Sequence, residues 1–116
     1  MSTSRFFGID DAGSMASVNP RPGTSSRVAQ FDRVEFRVNS FEPDAVVPPH
    51  EHEFHSVIFV LSGRISVSLE GDESELEPGQ GVYAEAGARH GLTAIGAGAR
   101  VVDLWWPIEP AAADRG

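Results

Sequence analysis

The chain has 116 residues, nine Lys+Arg against 17 Asp+Glu for a formal charge of -8, and no cysteine. That length suits one domain around a single core, and the acidic balance argues against nucleic-acid phosphates or an anionic membrane surface as partners. Without cysteine there is neither a disulfide nor a thiolate metal site, and because all nine basic residues are arginine no lysine is available for Schiff-base or phosphate-loop chemistry.

Residues 1–26, ending "GSMASVNPRPGTSS", are rich in Ser, Gly, Pro and Asn without sustained periodicity, and read as an arm. Within them "RFFGI" is apolar and needs cover, as an edge strand on this domain or on a partner subunit, one motive for expecting a homodimer. "RVEFRVNSF" then places Val34, Phe36 and Val38 on one face and Arg33, Glu35 and Arg37 on the other, the period of a half-buried strand. "PPHEHEFHSVIFVLSG" follows, ending in a turn, and "RISVSL" alternates again with Ile65, Val67 and Leu69 on one side.

"EGDE" is a turn and "EPGQG" breaks the chain again before "VYAE"; "AGAR" turns into "HGLTAI", and "GAGA" turns once more before "RVVDLWW". Short strands punctuated by Gly and Pro, with no convincing amphipathic helix, predict an all-β sandwich or barrel over residues 27–107 and a Pro/Ala tail over 108–116. No stretch is long and apolar enough to span a bilayer, and the first residues lack the pattern of a secretory signal, so a cytoplasmic location is expected.

Three of the four histidines fall within six positions, His50, His52 and His55. In an unbroken strand His50, His52, Ser56, Ile58 and Val60 share one face, while Glu51, Glu53, His55, Val57, Phe59 and Leu61 share the other. Because "VIFVL" is apolar throughout, both faces are expected to be covered, so the histidine face leads into an enclosed space. An unpaired buried polar group costs ~1–3 kcal/mol. Two imidazoles on one face, about 6–7 Å apart along the backbone, can answer that by converging on one metal ion. His90 follows a turn, a short strand and another turn that can return the chain beside the first pair.

From about residue 34 to 107 the sequence resembles a cupin, a small β-barrel of jelly-roll type. Of the family's first motif, G-x5-H-x-H-x3,4-E-x6-G, His50, His52 and Gly63 are present; of the second, G-x5-P-x-G-x2-H-x3-N, Gly79, Gly87 and His90. Asp44 stands for the first Gly, Glu85 for the Pro and Ala94 for the closing Asn, while the motif glutamate falls at Ser56 or Val57, neither a carboxylate. The resemblance implies one divalent metal held by His50, His52 and His90. His55 joins as a fourth ligand if a bulge near Glu53 or Phe54 turns it inward. The third possibility is a metal-free pocket in which the histidines hydrogen-bond an organic ligand.

An imidazole-only set suits Fe, Zn, Ni or Cu, with Mn a further option for Lewis-acid chemistry, and leaves the ion's charge uncompensated, so an anionic, chelating small molecule is the expected substrate. Because such a set resembles those of several cupin dioxygenases, an iron dioxygenase is placed ahead of a non-redox isomerase, cyclase or lyase, and both ahead of a binding sensor. The last is suggested by the likeness of "PHEHEFHSVIFVLSGR" to the sensory segment of arabinose-type regulators. Tyr83 and Glu85 are candidate acid/base groups; Ser56, Ile58, Val60, Trp105 and Trp106 are candidate substrate contacts, with one tryptophan in the cavity and the other outside. Arg64, Arg89 and Arg100 are candidate anion anchors, with exposed strand ends the simpler role.

Overall fold

The computed structural model describes residues 5–10 and 15–108. Eight strands run in chain order: β1 (Ala16–Arg21), β2 (Thr24–Phe31), β3 (Val34–Phe41), β4 (Val46–His50), β5 (His55–Leu69), β6 (Asp72–Leu76), β7 (Gly81–Ala84) and β8 (His90–Trp106). All their pairings are antiparallel, in the order β1-β2-β3-β8-β5-β6, with β4 on β8 and β7 on β5. The described residues contain no helix, and so none long and apolar enough to cross a membrane.

The two long strands explain how the sheet encloses a space. β5 and β8 pair along their whole length, from His55 opposite Trp106 to Leu69 opposite His90. One half of this ribbon is flanked by β3 and β7, the other by β4 and β6. Between the halves the register shifts at Val60/Ser62 and Gly63/Arg64, so the ribbon bends there and passes from one wall of the barrel to the other. The "SG" and "GAGA" turns of the sequence reading are these bends, inside strands that continue through them. At the bend Gly63 has φ +75° and Gly98 φ +97°, and a Cβ on Gly63 would meet the Gly98 carbonyl oxygen.

The main core lies between the walls, built from Ile58, Val60, Ile65, Val67, Leu92, Ala94 and Val101 with Phe41. A second apolar cluster lies outside. Ala29, Val38 and Met15 are buried there, with Phe7, Ile9, Phe31, Phe36 and Leu61 packed around them. Phe7 meets Phe31 at 5.3 Å and Phe36 at 5.2 Å between ring centroids, contacts worth about 0.5–1.5 kcal/mol each. Phe7 and Ile9 of "RFFGI" thus find cover on their own domain, whereas Phe6 stays 90% exposed.

Several expectations need correction. Residues 16–26 are not arm but β1 and the start of β2, whose Thr24, Ser26 and Val28 are buried; residues 1–4 and 11–14 lie outside the described set. Ile108 is buried and donates its N–H to the Arg33 carbonyl at 2.9 Å, so the packed structure reaches past residue 107, while the tail's residues 109–116 lie outside the described set. In "EGDE" only Glu70 and Gly71 turn; Asp72 already begins β6. β3 has the expected period with its sides reversed: Glu35, Arg37, Asn39 and Phe41 point into the barrel, and Phe36 and Val38 point outward under the N-terminal segment.

Gly63→Ala is expected to cost roughly 2–4 kcal/mol, because it adds left-handed strain to a backbone clash. Gly71→Ala, at φ +87° with open space around it, should cost about 1 kcal/mol. Urea unfolding of the two variants checks the difference.

Candidate metal centre

The bend in the ribbon carries its two ends toward each other across the barrel mouth. His90 begins β8 and faces His50, the last residue of β4, in the ladder. The ladder then ends, and residues 51–54 cross to β5 as a loop, so the strand assumed to be unbroken between His50 and Ser56 is interrupted. His52 sits on that loop. Its ring stacks on Phe54 at 3.9 Å and 11°, and Trp105 lies 5.9 Å from it. Ring centroids of His50, His52 and His90 are 4.6–5.3 Å apart, and their nitrogens available as ligands lie within 4.8 Å of one another.

Each ring is oriented by the same local bond. Nδ1 of His50 lies 2.9 Å from the Pro48 carbonyl, Nδ1 of His52 3.1 Å from that of Phe54, and Nδ1 of His90 2.9 Å from that of Ala88. A carbonyl oxygen can only accept, so Nδ1 carries the hydrogen in each ring and Nε2 presents a lone pair. Burial, reinforced by the neighbouring His90, lowers the pKa of His52 from 6.5 to about 4. Burial also lowers that of His50, against the Pro48 hydrogen bond. These two rings are therefore neutral at pH 7. Three oriented lone pairs, backbone-anchored at the far nitrogen, form a donor set that fits a divalent cation.

The cluster lines a cavity of about 720 Å³. Phe41, Val47, Ile58, Leu92 and Val101 make part of its wall apolar, Arg21, Arg33 and Arg37 with Glu51 and Glu53 bring charge of both signs, and Asp103 and Trp105 face it from β8. Across the sheet Arg37 on β3 and Ile58 on β5 stand opposite Asp103, and Glu35 and Ser56 stand opposite Trp105. Arg37 is ion-paired through Nε to Glu35, both essentially buried, and its guanidinium carbon lies 4.2 Å from the centroid of the Trp105 ring. Asp103 is buried and forms no ion pair among the described residues; its Oδ1 and the Trp105 indole nitrogen have no hydrogen-bond partner there. Burial pushes the Asp103 pKa from 3.8 up to about 7, a rise opposed by the indole N–H of Trp105, which lies toward Asp103 without closing a full hydrogen bond, and by the Arg37 charge, and assisted by the Glu35 charge.

The other sequence candidates divide. Ile58 and Trp105 line the cavity; Ser56 and Val60 share their side of the sheet but are buried beneath it, and the Ser56 Oγ has no partner among the described residues. His55 is on the outer face. Its Nδ1 accepts the Ala86 N–H at 3.0 Å and lies 3.2 Å from the Tyr83 hydroxyl, with Trp106 at 5.8 Å between ring centroids. No bulge turns it inward, so it is not a fourth member of the cluster. Tyr83, half exposed beside it, and the exposed Glu85 do not line the cavity. Trp106 is the outer tryptophan. Arg64 pairs with Glu75 at 3.6 Å and Arg100 with Asp10 at 3.1 Å, both away from the cavity, and the exposed Arg89 does not line it.

Sequence reasoning missed Arg21, Arg33, Arg37, Glu35 and Asp103. For β3 a signal existed: three polar side chains two apart continue into Phe41, a row that suits a lined cavity as well as a wetted face.

A barrel of antiparallel strands with three histidines gathered at its mouth, a set that could hold a metal ion, has the form of a cupin site. The cupin-domain sequence family matches residues 37–106, and the chain belongs to it. Among solved structures, KdgF from Halomonas sp. is 26% identical with a TM-score of 0.82, over 95% of this chain and 99% of its own. An RmlC-like cupin from Shewanella frigidimarina is 18% identical with a TM-score of 0.82, over 97% and 99%. A mutant of Bacillus subtilis oxalate decarboxylase is 15% identical with a TM-score of 0.73, over 80% of this chain and 27% of its own. The latter two speak to the fold alone. No curated protein matches the sequence.

His50→Ala, His52→Ala and His90→Ala should each weaken binding of a divalent cation by at least about 100-fold, while His55→Ala should leave it unchanged; calorimetric titration with Zn²⁺ checks both. A second expectation concerns pH in the chelator-stripped protein. Between pH 3.8 and about 7 folded Asp103 holds a proton that the unfolded chain has released, so its contribution to stability is lost as pH rises through that window. His52 acts oppositely, being neutral when folded and protonated when unfolded between about pH 4 and 6.5, so stability falls as pH falls there. Asp103→Asn removes the first effect and should be stabilised relative to the parent on going from pH 4 to pH 8, by roughly 2–4 kcal/mol. Urea unfolding across that range checks it.

Proposed function

We propose that the chain is a divalent-metal enzyme acting on a small anionic molecule that can chelate the ion, and that its chemistry is proton transfer: isomerisation, cyclisation or elimination. The observation that carries this reading is the meeting of three imidazole donors and one buried carboxyl, Asp103, around a single cavity. His50, His52 and His90 would hold the ion. When bound, the ion would polarise a chelated oxygen as a Lewis acid, or in its iron form support O₂ chemistry.

The protein's own contribution follows from its side chains. Arg21 and Arg33 would offer guanidinium groups to the oxygens of an anion and orient it. Phe41, Leu92 and Val101 exclude water from the apolar side. Asp103 is a carboxyl kept protonated near neutrality by burial, the state in which such a group donates a proton to carbon or oxygen and then takes one back as base.

The iron dioxygenase reading is supported by the donor set, three imidazoles without a carboxylate. Asp103 favours proton transfer over it, because oxygen insertion has no evident need of a buried acid there. Metal content of untagged protein, followed by incubation with hydroxy and keto acids in deuterium oxide under an oxygen electrode, separates the two. The expected result is metal-dependent incorporation of deuterium into substrate carbon without oxygen uptake, with kcat reduced by about 100-fold or more in Asp103→Asn. Stoichiometric oxygen consumption would establish the dioxygenase instead. Metal-free protein that binds such acids without turning them over would make the chain a sensor.

A further inference from the structure

Glu35, Arg37 and Asp103 place three ionisable groups in one buried patch, and only two of them are paired. Glu35 and Arg37 are two apart on the inward side of β3, so their side chains project together, and Glu35 closes on Arg37 Nε with both residues at 2% exposure or less. Asp103 stands opposite Arg37 in the β3–β8 ladder, the position from which a guanidinium ordinarily reaches a carboxylate. Yet no ion pair joins them. Arg37 is drawn along its own strand to Glu35 and lies over the Trp105 ring, one inward position beyond Asp103.

We propose that Glu35 is a positioning residue: by holding the Arg37 guanidinium over Trp105 it withholds that cation from Asp103, which therefore stays a proton donor in the cavity. The proposal deepens the proton-transfer reading above and, for its functional meaning, rests on it.

The surroundings of Asp103 leave few other groups to set its state. From β3 it faces Arg37 and Glu35. From β5 it faces Ile58, which cannot titrate, with Ser56 one inward position away. On β8 its inward neighbours are Val101 and Trp105. The remaining charged or titratable groups of the cavity are His50, His52, His90, Arg21, Arg33, Glu51 and Glu53. Beside burial and the Trp105 indole N–H, the partition of one guanidinium between two carboxyls is thus the nearest control by charge. A glutamate at 0% exposure is a costly residue to bury, and pairing is what makes it tolerable. That the pair is formed within β3 rather than across to β8 is what separates the roles of the two acids.

The test reads Asp103 directly, by carbon-13 NMR of its side-chain carboxyl as a function of pH, in the parent and in Glu35→Gln compared in the same metal state. Glu35→Gln releases Arg37, and the expected result is a fall in the Asp103 midpoint of at least one pH unit. Glu35→Asp keeps the charge and should hold the midpoint at the parent value. In Glu35→Gln/Arg37→Met no cation is left to release, and the midpoint should again stay at the parent value. An unchanged midpoint in Glu35→Gln, or an equal fall in the double variant, overturns the proposal. If Glu35→Gln does not fold, the double variant and Glu35→Asp carry the test, and a fall of a unit or more in either overturns it. The readout needs no substrate, so the absence of catalysis would remove the proton-transfer reading without touching this result.

Discussion

Two stretches of backbone meet at Gly63 and Gly98 with no room for a side chain between them, and the functional architecture depends on that contact. A continuous two-stranded ribbon as long as β5 and β8 twists but does not fold back on itself. Close approach of backbone to backbone, with left-handed conformations that only glycine adopts at little cost, lets the ribbon bend between its halves. Once bent, the end bearing His90 and the end bearing Trp105 come to the same mouth, and β4 supplies His50 by pairing directly with His90. Histidines forty positions apart in the chain therefore meet because of a constraint that contains no histidine.

The bend creates a second requirement, that a polar interior be satisfied without filling it. The three imidazoles answer it with their own backbone, each giving Nδ1–H to a carbonyl two residues away and leaving Nε2 open. Glu35 and Arg37 answer it by pairing. The apolar side chains that would ordinarily fill such a space are displaced outward along β3, and the N-terminal residues Phe7, Ile9 and Met15 cover them there. A buried inner polar row and a covered outer apolar row are two consequences of one choice. The cavity can be lined with charge only because a separate segment shields the reverse side of the strand.

These dependencies set what was legible in the sequence. The histidines were, because imidazole is rare and its spacing carries a chemical meaning that alternation alone does not. The all-β class and most of the strands from residue 34 onward were also legible, since Ile65, Val67 and Val101 follow the period and punctuation of buried strands. Period, however, does not say which side faces in. For β3 the hydrophobic rule selected Phe36 and Val38 as the inner face, and the answer depended on cover supplied by Phe7, Ile9 and Met15, far from the strand. Glu35, Arg37 and Asp103 were hidden by that reversal. β1, with its Asn and Pro, and the acidic β6 failed for a different reason: each pairs at an edge, where ladder hydrogen bonds rather than burial of side chains define the strand. His55 was ambiguous by one residue, and a loop rather than a bulge resolved it.

The departure from the family pattern at Ser56 connects these points. The motif carboxylate would have supplied negative charge beside the three imidazoles; here that position is a small, fully buried hydroxyl. The buried carboxyl of the cavity lining is instead Asp103, on a neighbouring strand and one cross-strand row further along. Moving the charge from a ligand position to a wall changes its use. A ligand must be ionised to serve, whereas a wall carboxyl in an apolar setting can retain its proton. A cation in the histidine cluster would lower the proton affinity of Asp103, and an anionic substrate lying between them would raise it again. On the proposed reading, binding of the anion and retention of the proton would then favour each other, which would couple the histidine cluster to the buried acid.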